Sequence, residues 1–472
     1  MRIPAKPKPF NEIVSTVPPE RFAVLLGQFQ NAQSHDRYLH WDELRRRPAP
    51  EGLSHEEWWL LLKLRRVSML RPIPLAAKDG HPFQFGLPDP LIAQLHAIDC
   101  GLGSNWNLPE SVVHPTTRNE YIISTLMQEA ITSSQLEGAV TTREVAKEML
   151  RTGRPPRDRS ERMILNSYLT MQRIMDVREE KLTPELVFEL HRRVTEGTLD
   201  RADGAGRFRR EEEAIRVVDM EGNVFHDPPK AEELQGRMAK MCAFANGQTP
   251  DFFVHPVIRA ILLHFWLAYD HPFVDGNGRT ARALFYWSML HQEFRLFEFI
   301  SISQILLRAP SQYARAFLHS ETDDNDLTYF ILHQAEVIQG AVQALHEYVG
   351  SKMTAMIASE AILRGASGLN HRQQALLTHA LRQPLGRYTI EAHRRSHGVV
   401  YQTARTDLLD LVSRGLLVRG KEGRTIVFRV PGDLDSKLKR LAEVREPPLQ
   451  DESLTLPLKF PSGGDESSRP PL

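Results

Sequence analysis

Apolar residues recur at a helical spacing through most of the chain, and the pattern is clearest in the run HPVIRAILLHFWLAYD. The apolar positions from Ile258 to Phe265 fall on one helix face. This spacing predicts a buried helix that ends where Asp270 and Pro272 break the register. His264 lies on the same helix, and we interpret it as a hydrogen-bonded core histidine.

Other segments extend this pattern. A helix is predicted from Thr280 to about Gln292, and another in the run RNEYIISTLMQEAITSSQLE, which stops at Gly138. Apolar residues alternate from Ile215 onward around the turn-prone residues 221–223, which predicts a β-hairpin in an otherwise helical region. The chain is therefore predicted to be mainly α.

Shifts in composition predict the domain organisation. The first residues are rich in proline and lysine, which is typical of a flexible segment, and the last are rich in proline, serine, glycine and charge. The sequence Ser54-His55-Glu56-Glu57 has the form of a capping box before an apolar run. The predicted segments are a flexible N-terminus (1–18), an N-terminal helical extension (19–110), a central helical region (111–345), a C-terminal domain (366–432) and a disordered tail (445–472).

Residues 366–432 show a different order, in which three helical runs precede two strands. This order resembles a winged helix-turn-helix domain, and the segment is locally basic, which favours nucleic-acid binding. If it binds DNA, the residues facing a major groove or touching the backbone are Tyr401, Gln402, Thr403, Arg405, Lys421 and Arg424. Asp407 and Asp410 lie on the same helix and oppose this interpretation, so a packing or dimer module is the alternative.

Composition limits the class of protein. The chain has 472 residues, enough for about two to four domains. Its 59 Lys and Arg balance 59 Asp and Glu, so no overall field attracts nucleic acid or membrane. Cys100 and Cys242 are its cysteines, which excludes a disulfide framework. No apolar run reaches the roughly 18 residues of a membrane span, and we expect a soluble cytoplasmic protein without a membrane partner.

Residues 271–282, HPFVDGNGRTAR, carry the candidate chemistry. The glycine-rich turn Gly276-Asn277-Gly278 can direct successive backbone N–H groups toward an anion. The following helix has an N-terminus that favours phosphate. Arg279 and Arg282 are three residues apart, so they share one helix face and can bind β- and γ-phosphates bidentately. The chain has no GxxxxGK[ST] sequence, so a P-loop is not the nucleotide site.

Two further groups complete this motif. Asp275 is the kind of hard oxygen ligand that Mg²⁺ prefers when phosphate and water fill most of its shell. His271 is the group of the motif whose unperturbed pKa lies near neutrality, so it is the candidate general base. Together these residues predict a site for ATP with Mg²⁺.

The run matches the HxFx[DE]GNGRxxR signature, and the chain therefore resembles the Fic family of nucleotidyl transferases. The resemblance implies AMPylation, in which a target hydroxyl attacks the α-phosphate of ATP. It implies that His271 is the base, that Asn277 and the glycine amides hold the α-phosphate, and that Phe273 anchors the loop. Related phosphotransferases of the Doc type replace the glycines of the GNG turn. The intact turn thus favours nucleotidyl over phosphoryl transfer.

Residues 131–138, ITSSQLEG, resemble the inhibitory [ST]xxxE[GN] motif of the same family. Ser133 and Glu137 occupy its defining positions, and Glu137 lies at the negative end of a helix, where a carboxylate needs a cation. The resemblance implies that this cation is Arg282, and that pairing with Glu137 blocks binding of the γ-phosphate. A solvated glutamate is the alternative.

The predicted hairpin follows a GRFR run, as does a hairpin flap in the family. Such a flap covers the nucleotide, which makes Ile215 a candidate nucleotide contact, and its edge pairs with an extended target segment. A plain structural hairpin is the alternative. The resemblance also places Tyr313 near the adenine, although Ala314 stands where a second tyrosine is often found.

These observations predict a mainly α enzyme with a Fic catalytic domain at 111–345, an N-terminal extension and a C-terminal winged helix. It would transfer AMP from ATP to a Ser, Thr or Tyr hydroxyl of a target protein, with inhibition by Glu137. The alternatives are hydrolytic removal of AMP and a nucleotide-sensing DNA-binding regulator. Self-modification, DNA and a homodimer remain open as partners.

Overall fold

A computed structural model describes most of the chain. The described residues are 2–27, 37–102, 115–218, 222–365, 368–382, 386–422 and 425–443. The chain divides into two compact units, residues 1–351 and residues 352–472. Helices dominate both units, which confirms the mainly α prediction. Among the helices in these ranges, none is both long and apolar enough to cross a membrane.

The N-terminal part of the first unit is a helical layer with a two-stranded antiparallel sheet. Its elements are α1 (Phe10–Thr16), α2 (Pro19–Gly27), α3 (Trp41–Leu44), α4 (His55–Val67), β1 (Arg71–Ala76), β2 (Pro82–Phe85) and α5 (Asp89–Leu102). The predicted capping box is confirmed at the start of α4. The Ser54 hydroxyl accepts from the Glu57 N–H, and the Glu57 carboxylate accepts from the Ser54 N–H.

Within residues 2–18, part of the segment whose composition predicts flexibility, the structure contains a short helix. Helix α1 buries Ile13, which is 2% exposed, and Phe10 and Val17 pack against the same apolar cluster. The Ala5 N–H donates to the Asp42 carboxylate at 3.1 Å. Apolar residues three and four positions apart supply one helix face here, and that spacing outweighs the proline- and lysine-rich composition.

The remainder of the first unit surrounds a pair of buried helices, α11 and α12. Its elements are α6 (Pro115–Leu136), α7 (Arg143–Thr152), α8 (Arg159–Val177), α9 (Pro184–Thr195), β3 (Val217–Val218), β4 (Val224–His226), α10 (Leu234–Ala245), α11 (Pro256–Asp270), α12 (Asn277–His291), α13 (Ile302–Leu306), α14 (Pro310–Thr322) and α15 (Thr328–Gly365). Single turns of 3-10 helix lie at Ala202–Gly204, Glu211–Glu213, Ala231–Glu233 and Arg295–Glu298.

Several sequence predictions for this region are confirmed. Helix α11 ends at Asp270, and its His264 is fully buried with Nε2 2.7 Å from the Tyr313 hydroxyl. Strands β3 and β4 pair antiparallel as the predicted hairpin. Helix α12 begins at Asn277, three residues before the predicted start at Thr280. Gly276, with φ of 80°, reverses the chain so that the helix begins immediately after it.

The extension packs on this helical core through buried polar contacts. Lys63 Nζ lies 2.7 Å from Asp323, and these side chains are 2% and 0% exposed. The Tyr38 hydroxyl donates to the buried Asp326 carboxylate at 2.7 Å. Breaking a buried pair by removing one partner costs about 3–5 kcal/mol. The extension is therefore an integral part of the first unit.

The described part of the second unit is a small α/β domain. Its elements are α16 (His371–Arg382), β5 (Arg387–Tyr388), α17 (Ile390–His397), α18 (Tyr401–Ser413), β6 (Val418–Glu422), β7 (Thr425–Arg429) and α19 (Leu434–Glu443). The three predicted helices and two strands are present, and β5 adds a third strand in the antiparallel order β5-β7-β6. The winged helix assignment stays a prediction. The predicted tail at 445–472 lies outside the described residues.

Candidate active site

The loop between α11 and α12 places the motif residues at the centre of the first unit. His271 caps α11 in the left-handed conformation, with φ of 44°, and its N–H bonds to the Leu267 carbonyl. Phe273 is fully buried. The Asn277 side chain accepts from the Phe273 N–H at 3.0 Å and donates to the Phe273 carbonyl at 2.8 Å. The side chain predicted to hold the α-phosphate therefore also fixes the loop that carries His271.

The hydrogen bonds of His271 define its tautomer. Nδ1 lies 3.2 Å from the Ala268 carbonyl oxygen, which can only accept, so Nδ1 carries the proton. Nε2 consequently holds a lone pair. Burial lowers the pKa of His271 to about 4, which keeps the ring neutral near pH 7. A neutral imidazole with an accepting Nε2 meets the chemical requirement for a general base.

A cavity of about 510 Å³ is lined by residues from the HPFVDGNGRTAR run, the inhibitory motif and the hairpin segment. It contains His271, Asp275 and the glycine turn, together with Glu137 of the inhibitory motif and residues of the hairpin. The lining residues are Glu137, Ala214, Ile215, Arg216, Val218, His271, Val274, Asp275, Gly276, Asn277 and Gly278. A volume of this size is typical of a small-molecule site. The predicted contacts at Ile215, Gly276 and Gly278 thus lie on one cavity wall with His271.

Asp275 presents a carboxylate to this cavity. Its side chain is 42% exposed, and Oδ2 lies 3.5 Å from Arg279 and 3.7 Å from Arg159. In the described part of the chain, no three acidic, histidine or cysteine residues group as a metal site. A single carboxylate nevertheless fits Mg²⁺, because this ion usually takes its other ligands from substrate phosphates and water.

Glu137 and Ser133 both contact Arg282. The Arg282 guanidinium donates to Glu137 Oε1 at 2.8 Å, to Ser133 Oγ at 2.8 Å and to the Ser133 carbonyl at 2.9 Å. Burial alone would raise the pKa of the Glu137 carboxyl, but Arg282 outweighs it and holds the pKa below its usual value. Arg282 is 2% exposed, whereas the Glu137 side chain is 28% exposed, so the arginine end of the ion pair is buried and the carboxylate end reaches the cavity. The arginine predicted to bind phosphate is thus occupied by the chain itself.

Arg279 does not lie on the cavity wall. Its Nη1 donates to the Val194 carbonyl at 3.1 Å, and the residue is 2% exposed. Nε and Nη2 have no hydrogen-bond partner within the described ranges. A buried guanidinium with unused donors can take up an anionic oxygen, which is consistent with the predicted phosphate contact.

Tyr313, which the resemblance places near the adenine, is not among the residues that line the cavity, and its contact with adenine stays a prediction. Its hydroxyl bonds His264 at 2.7 Å, and its ring packs at 5.3 Å from that of Phe317. Burial raises the pKa of Tyr313 to about 12. The Tyr313 hydroxyl also interacts with the Arg282 side chain, so the residue contacts one of the two arginines of the motif.

Two residues that the sequence analysis did not assign hold the loop in place. Arg209, in the GRFR run, donates from Nε to the His271 carbonyl at 2.8 Å and from Nη2 to the Pro229 carbonyl. His191 donates from Nε2 to the Asp275 carbonyl at 2.9 Å and accepts the Gly206 N–H at 2.9 Å. Of the two, only Arg209 lies in a recognisable motif, the GRFR run. Both side chains bond backbone groups of the loop or its neighbours, and because nearly every residue type carries these groups, the sequence does not show which residues are contacted.

Arg237 supports the residue before His271. It donates to the Asp270 carboxylate at 2.7 Å and to the Ala76 carbonyl at 2.6 Å, so it joins the end of α11 to strand β1. Trp266 Nε1 also donates to Asp270 at 3.0 Å. Burial nevertheless raises the pKa of Asp270 to about 6. Strand β1 of the N-terminal extension therefore contacts Arg237, the side chain that holds Asp270 before the His271 loop.

Part of the chain is similar in sequence to known proteins. Residues 181–289 match the Fic/DOC family. A protein from Nematostella vectensis named protein adenylyltransferase Fic is 37% identical over 107 residues, which are 23% of this chain and 22% of that protein. One of the same name from Drosophila virilis is 39% identical over 108 residues, 23% of this chain and 20% of that protein. The chain thus spans about a fifth of the length of these curated relatives.

The fold is similar to that of a solved structure. The crystal structure of a Fic family protein from Desulfovibrio desulfuricans G20 aligns with a TM-score of 0.50 at 18% identity, covering 73% of this chain and 97% of that one. The matched segment 181–289 includes the loop, His271 and both buried arginines. The segment 181–289 is thus similar in sequence to the Fic/DOC family, and the fold of the chain is similar to that of a Fic family protein.

Proposed function

We propose that this protein transfers AMP from ATP to a hydroxyl group of a protein and that Glu137 inhibits the transfer. The supporting observation is the neutral His271, which lines the cavity together with the glycine turn and residues of the hairpin and whose Nδ1 hydrogen bond leaves Nε2 as the acceptor. The relatives of the Fic domain are named protein adenylyltransferases, which supports the same reaction.

In the proposed reaction, His271 Nε2 takes the proton of the target hydroxyl. The hydroxyl oxygen forms a bond to the α-phosphorus of ATP, and the bond from that phosphorus to the bridging oxygen breaks. Pyrophosphate leaves with the bonding electron pair, and the histidine later releases its proton to water. The N–H groups at the start of α12 face the charge that develops on the phosphate.

Mg²⁺ would be held by Asp275 and would neutralise charge on the phosphate oxygens. Arg279 and Arg282 would bind the polyphosphate, with Arg282 becoming accessible when Glu137 leaves it. Because Glu137 and a phosphate compete for the same guanidinium, the ion pair observed in the structure corresponds to the inhibited state.

The hairpin β3–β4 would bind the target. It forms one side of the cavity, and an extended target segment pairing with its edge would bring a Ser, Thr or Tyr hydroxyl toward His271. A segment of a second copy of the chain would meet the same requirement, so self-modification belongs to this proposal.

Identification of the product tests this function. Cell lysate is incubated with the Glu137→Gly variant and ATP, and mass spectrometry then maps modified peptides. The proposal requires AMP on Ser, Thr or Tyr side chains, and the same peptides unmodified with the Glu137→Gly/His271→Ala variant. Addition of a bare phosphate instead would overturn nucleotidyl transfer.

Removal of AMP is a second candidate reaction, favoured by the position of Glu137 on the cavity wall beside His271. There the carboxylate could align a water molecule against a modified hydroxyl. A premodified target distinguishes the two reactions. Loss of AMP with wild-type protein, but not with Glu137→Gly, would establish removal.

DNA binding by the second unit is a separate candidate function, favoured by the burial of Asp407 and its pairing with Arg372. This carboxylate is 4% exposed and accepts from Arg372 at 2.7 Å, and His393 lies 3.2 Å away, so it does not oppose DNA at the surface. His393 and Asp407 are thus buried partners. Tyr401 and Arg405 remain exposed on α18.

Fluorescence anisotropy with genomic fragments tests DNA binding, with Arg405→Ala and the exposed Arg151→Ala as a matched pair. Salt-dependent binding that Arg405→Ala weakens would support it. Equal titrations for both variants would favour the alternative role as a homodimer module, which sedimentation of the full chain measures.

A further inference from the structure

A second cavity, of about 480 Å³, lies between the N-terminal extension and helix α14. Its lining residues are Arg2, Asp42, Arg45, Arg46 and Arg315. We call it the arginine cavity. It shares no lining residue with the cavity at His271. Four guanidinium groups face one carboxylate, which leaves a net charge of three positive units on its walls.

Asp42 organises two of these arginines. Oδ1 accepts from Arg45 Nη2 at 2.9 Å and from the Ala5 N–H at 3.1 Å, and Oδ2 accepts from Arg46 Nη2 at 2.8 Å. The residue is 9% exposed. Burial alone would raise the pKa of Asp42, but the Ala5 and arginine hydrogen bonds hold it below its usual value. The carboxylate is therefore ionised and already paired, and it fixes both guanidinium groups at the wall.

The other cations of the cavity are not neutralised by the chain. Within the described residues, neither Arg2 nor Arg315 forms an ion pair with a carboxylate. Arg45 Nε is buried without a hydrogen-bond partner. His40 and His319 stack at 4.2 Å beside these residues, and burial lowers the pKa of each to about 3, so they add no charge. Among the lining side chains, hydrogen-bond donors therefore outnumber acceptors.

We propose that the arginine cavity binds a phosphate-bearing ligand with two or more negative charges. Guanidinium groups bind phosphate oxygens bidentately, and several together favour a polyanion over a single carboxylate. The volume lies in the range of small-ligand sites, about 300–1,000 Å³. Free polyphosphate compounds and phosphorylated protein side chains carry this same chemistry.

A ligand in this cavity would contact the helix that also supports the hairpin. Arg315 lies on α14, as does Glu321, whose carboxylate is 2.8 Å from His226 Nδ1 in strand β4. His226 Nε2 in turn lies 2.7 Å from the Tyr269 carbonyl, near the end of α11. The cavity is therefore joined to both the hairpin and the catalytic helix, although its binding of anions does not depend on AMP transfer.

Calorimetric titration of the full chain with tripolyphosphate, without divalent cations, tests the proposal. The variants are Arg46→Ser and Arg315→Ser, both exposed positions, with the exposed Arg151→Ser as the matched control and Arg282→Ala reporting on the other site. Each cavity variant should bind about tenfold more weakly, the effect of one lost charged hydrogen bond. Arg151→Ser should bind as wild type, and Arg282→Ala should lose only binding at the first cavity.

Two results would overturn the proposal. One is equal binding by wild type, Arg46→Ser and Arg315→Ser. The other is loss of binding in Arg282→Ala alone, which would place the anion at the first cavity. Competition then identifies the source of the phosphate. Displacement of tripolyphosphate by a phosphoserine peptide or by free ATP supports the site, and displacement by neither contradicts it.

Discussion

The Glu137 carboxylate occupies the space that a side chain on Gly278 would need. A methyl group on Gly278 would lie 2.1 Å from Glu137 Oε1, far closer than atoms that are not bonded can approach. The second glycine of the GNG turn therefore permits the Glu137–Arg282 ion pair, besides any contact that its N–H makes with phosphate.

Substitution Gly278→Ala should displace Glu137 and release part of the inhibition. Loss of one buried charged hydrogen bond corresponds to roughly tenfold tighter ATP binding, because Arg282 becomes available. The dissociation constant for ATP measures this. Gly236→Ala is the matched control, since a methyl group there meets no atom within 4 Å. An ATP affinity equal to that of wild type in Gly278→Ala would contradict the steric argument.

The pH profile of transfer should reflect the lowered pKa of His271. The base is active when neutral, so in Glu137→Gly the rate should stay level from about pH 8 to pH 5 and fall as the pH drops through about 4. A surface histidine would lose activity already near its ordinary pKa of about 6.5. A rate that already falls as the pH drops through about 6.5 would show that burial does not lower the pKa of His271.

Arg209 should act as a positioning residue. Replacement by alanine removes donors from the His271 and Pro229 carbonyls, and each buried acceptor left unpaired costs about 1–3 kcal/mol. In the Glu137→Gly background, Arg209→Ala should lower kcat while the KM for ATP changes little. Unchanged kcat in a folded variant would exclude this role.

Stability should depend on Asp270 between about pH 4 and pH 6. Burial raises the pKa of Asp270 from its unfolded value to about 6, so its contribution to stability is complete below the unfolded pKa and is lost as the pH rises through 6. Two pKa units correspond to about 2–3 kcal/mol. Thermal unfolding of wild type and Asp270→Asn across this range should show the dependence in wild type alone.

The ion pair between Arg237 and Asp270 should contribute to the stability of the protein. Arg237→Ala should cost about 3–5 kcal/mol, because it leaves the Asp270 carboxylate buried without its cation. The double variant Arg237→Ala/Asp270→Asn should recover part of that loss. An additive double variant would show that the two side chains do not act together.

The sequence predicted the parts of the site that depend on spacing along the chain. The end of α11 at Asp270, the turn at Gly276, the hairpin from Val217 and the approach of Glu137 to Arg282 all follow from local pattern or motif. The sequence could not predict contacts that depend on packing. Tyr313 of α14 bonds His264 of α11, and Asp407 is neutralised by Arg372 from another helix.

Backbone contacts were equally inaccessible from sequence. Arg209 and His191 act on carbonyl oxygens, which every residue carries, so no pattern at the receiving positions identified them. The short helix α1 was not predicted for a different reason. Composition averaged over 18 residues concealed one short apolar face centred on Ile13.

Labelling with ATP that carries a tag on its α-phosphate examines His271 and Glu137 together. Wild type, Glu137→Gly and Glu137→Gly/His271→Ala are incubated with lysate and Mg²⁺, and tag bound to protein is counted over time. We predict strong labelling by Glu137→Gly, weak labelling by wild type and background labelling by the double variant. Labelling by the double variant at the rate of Glu137→Gly would contradict the assignment of His271 as the base.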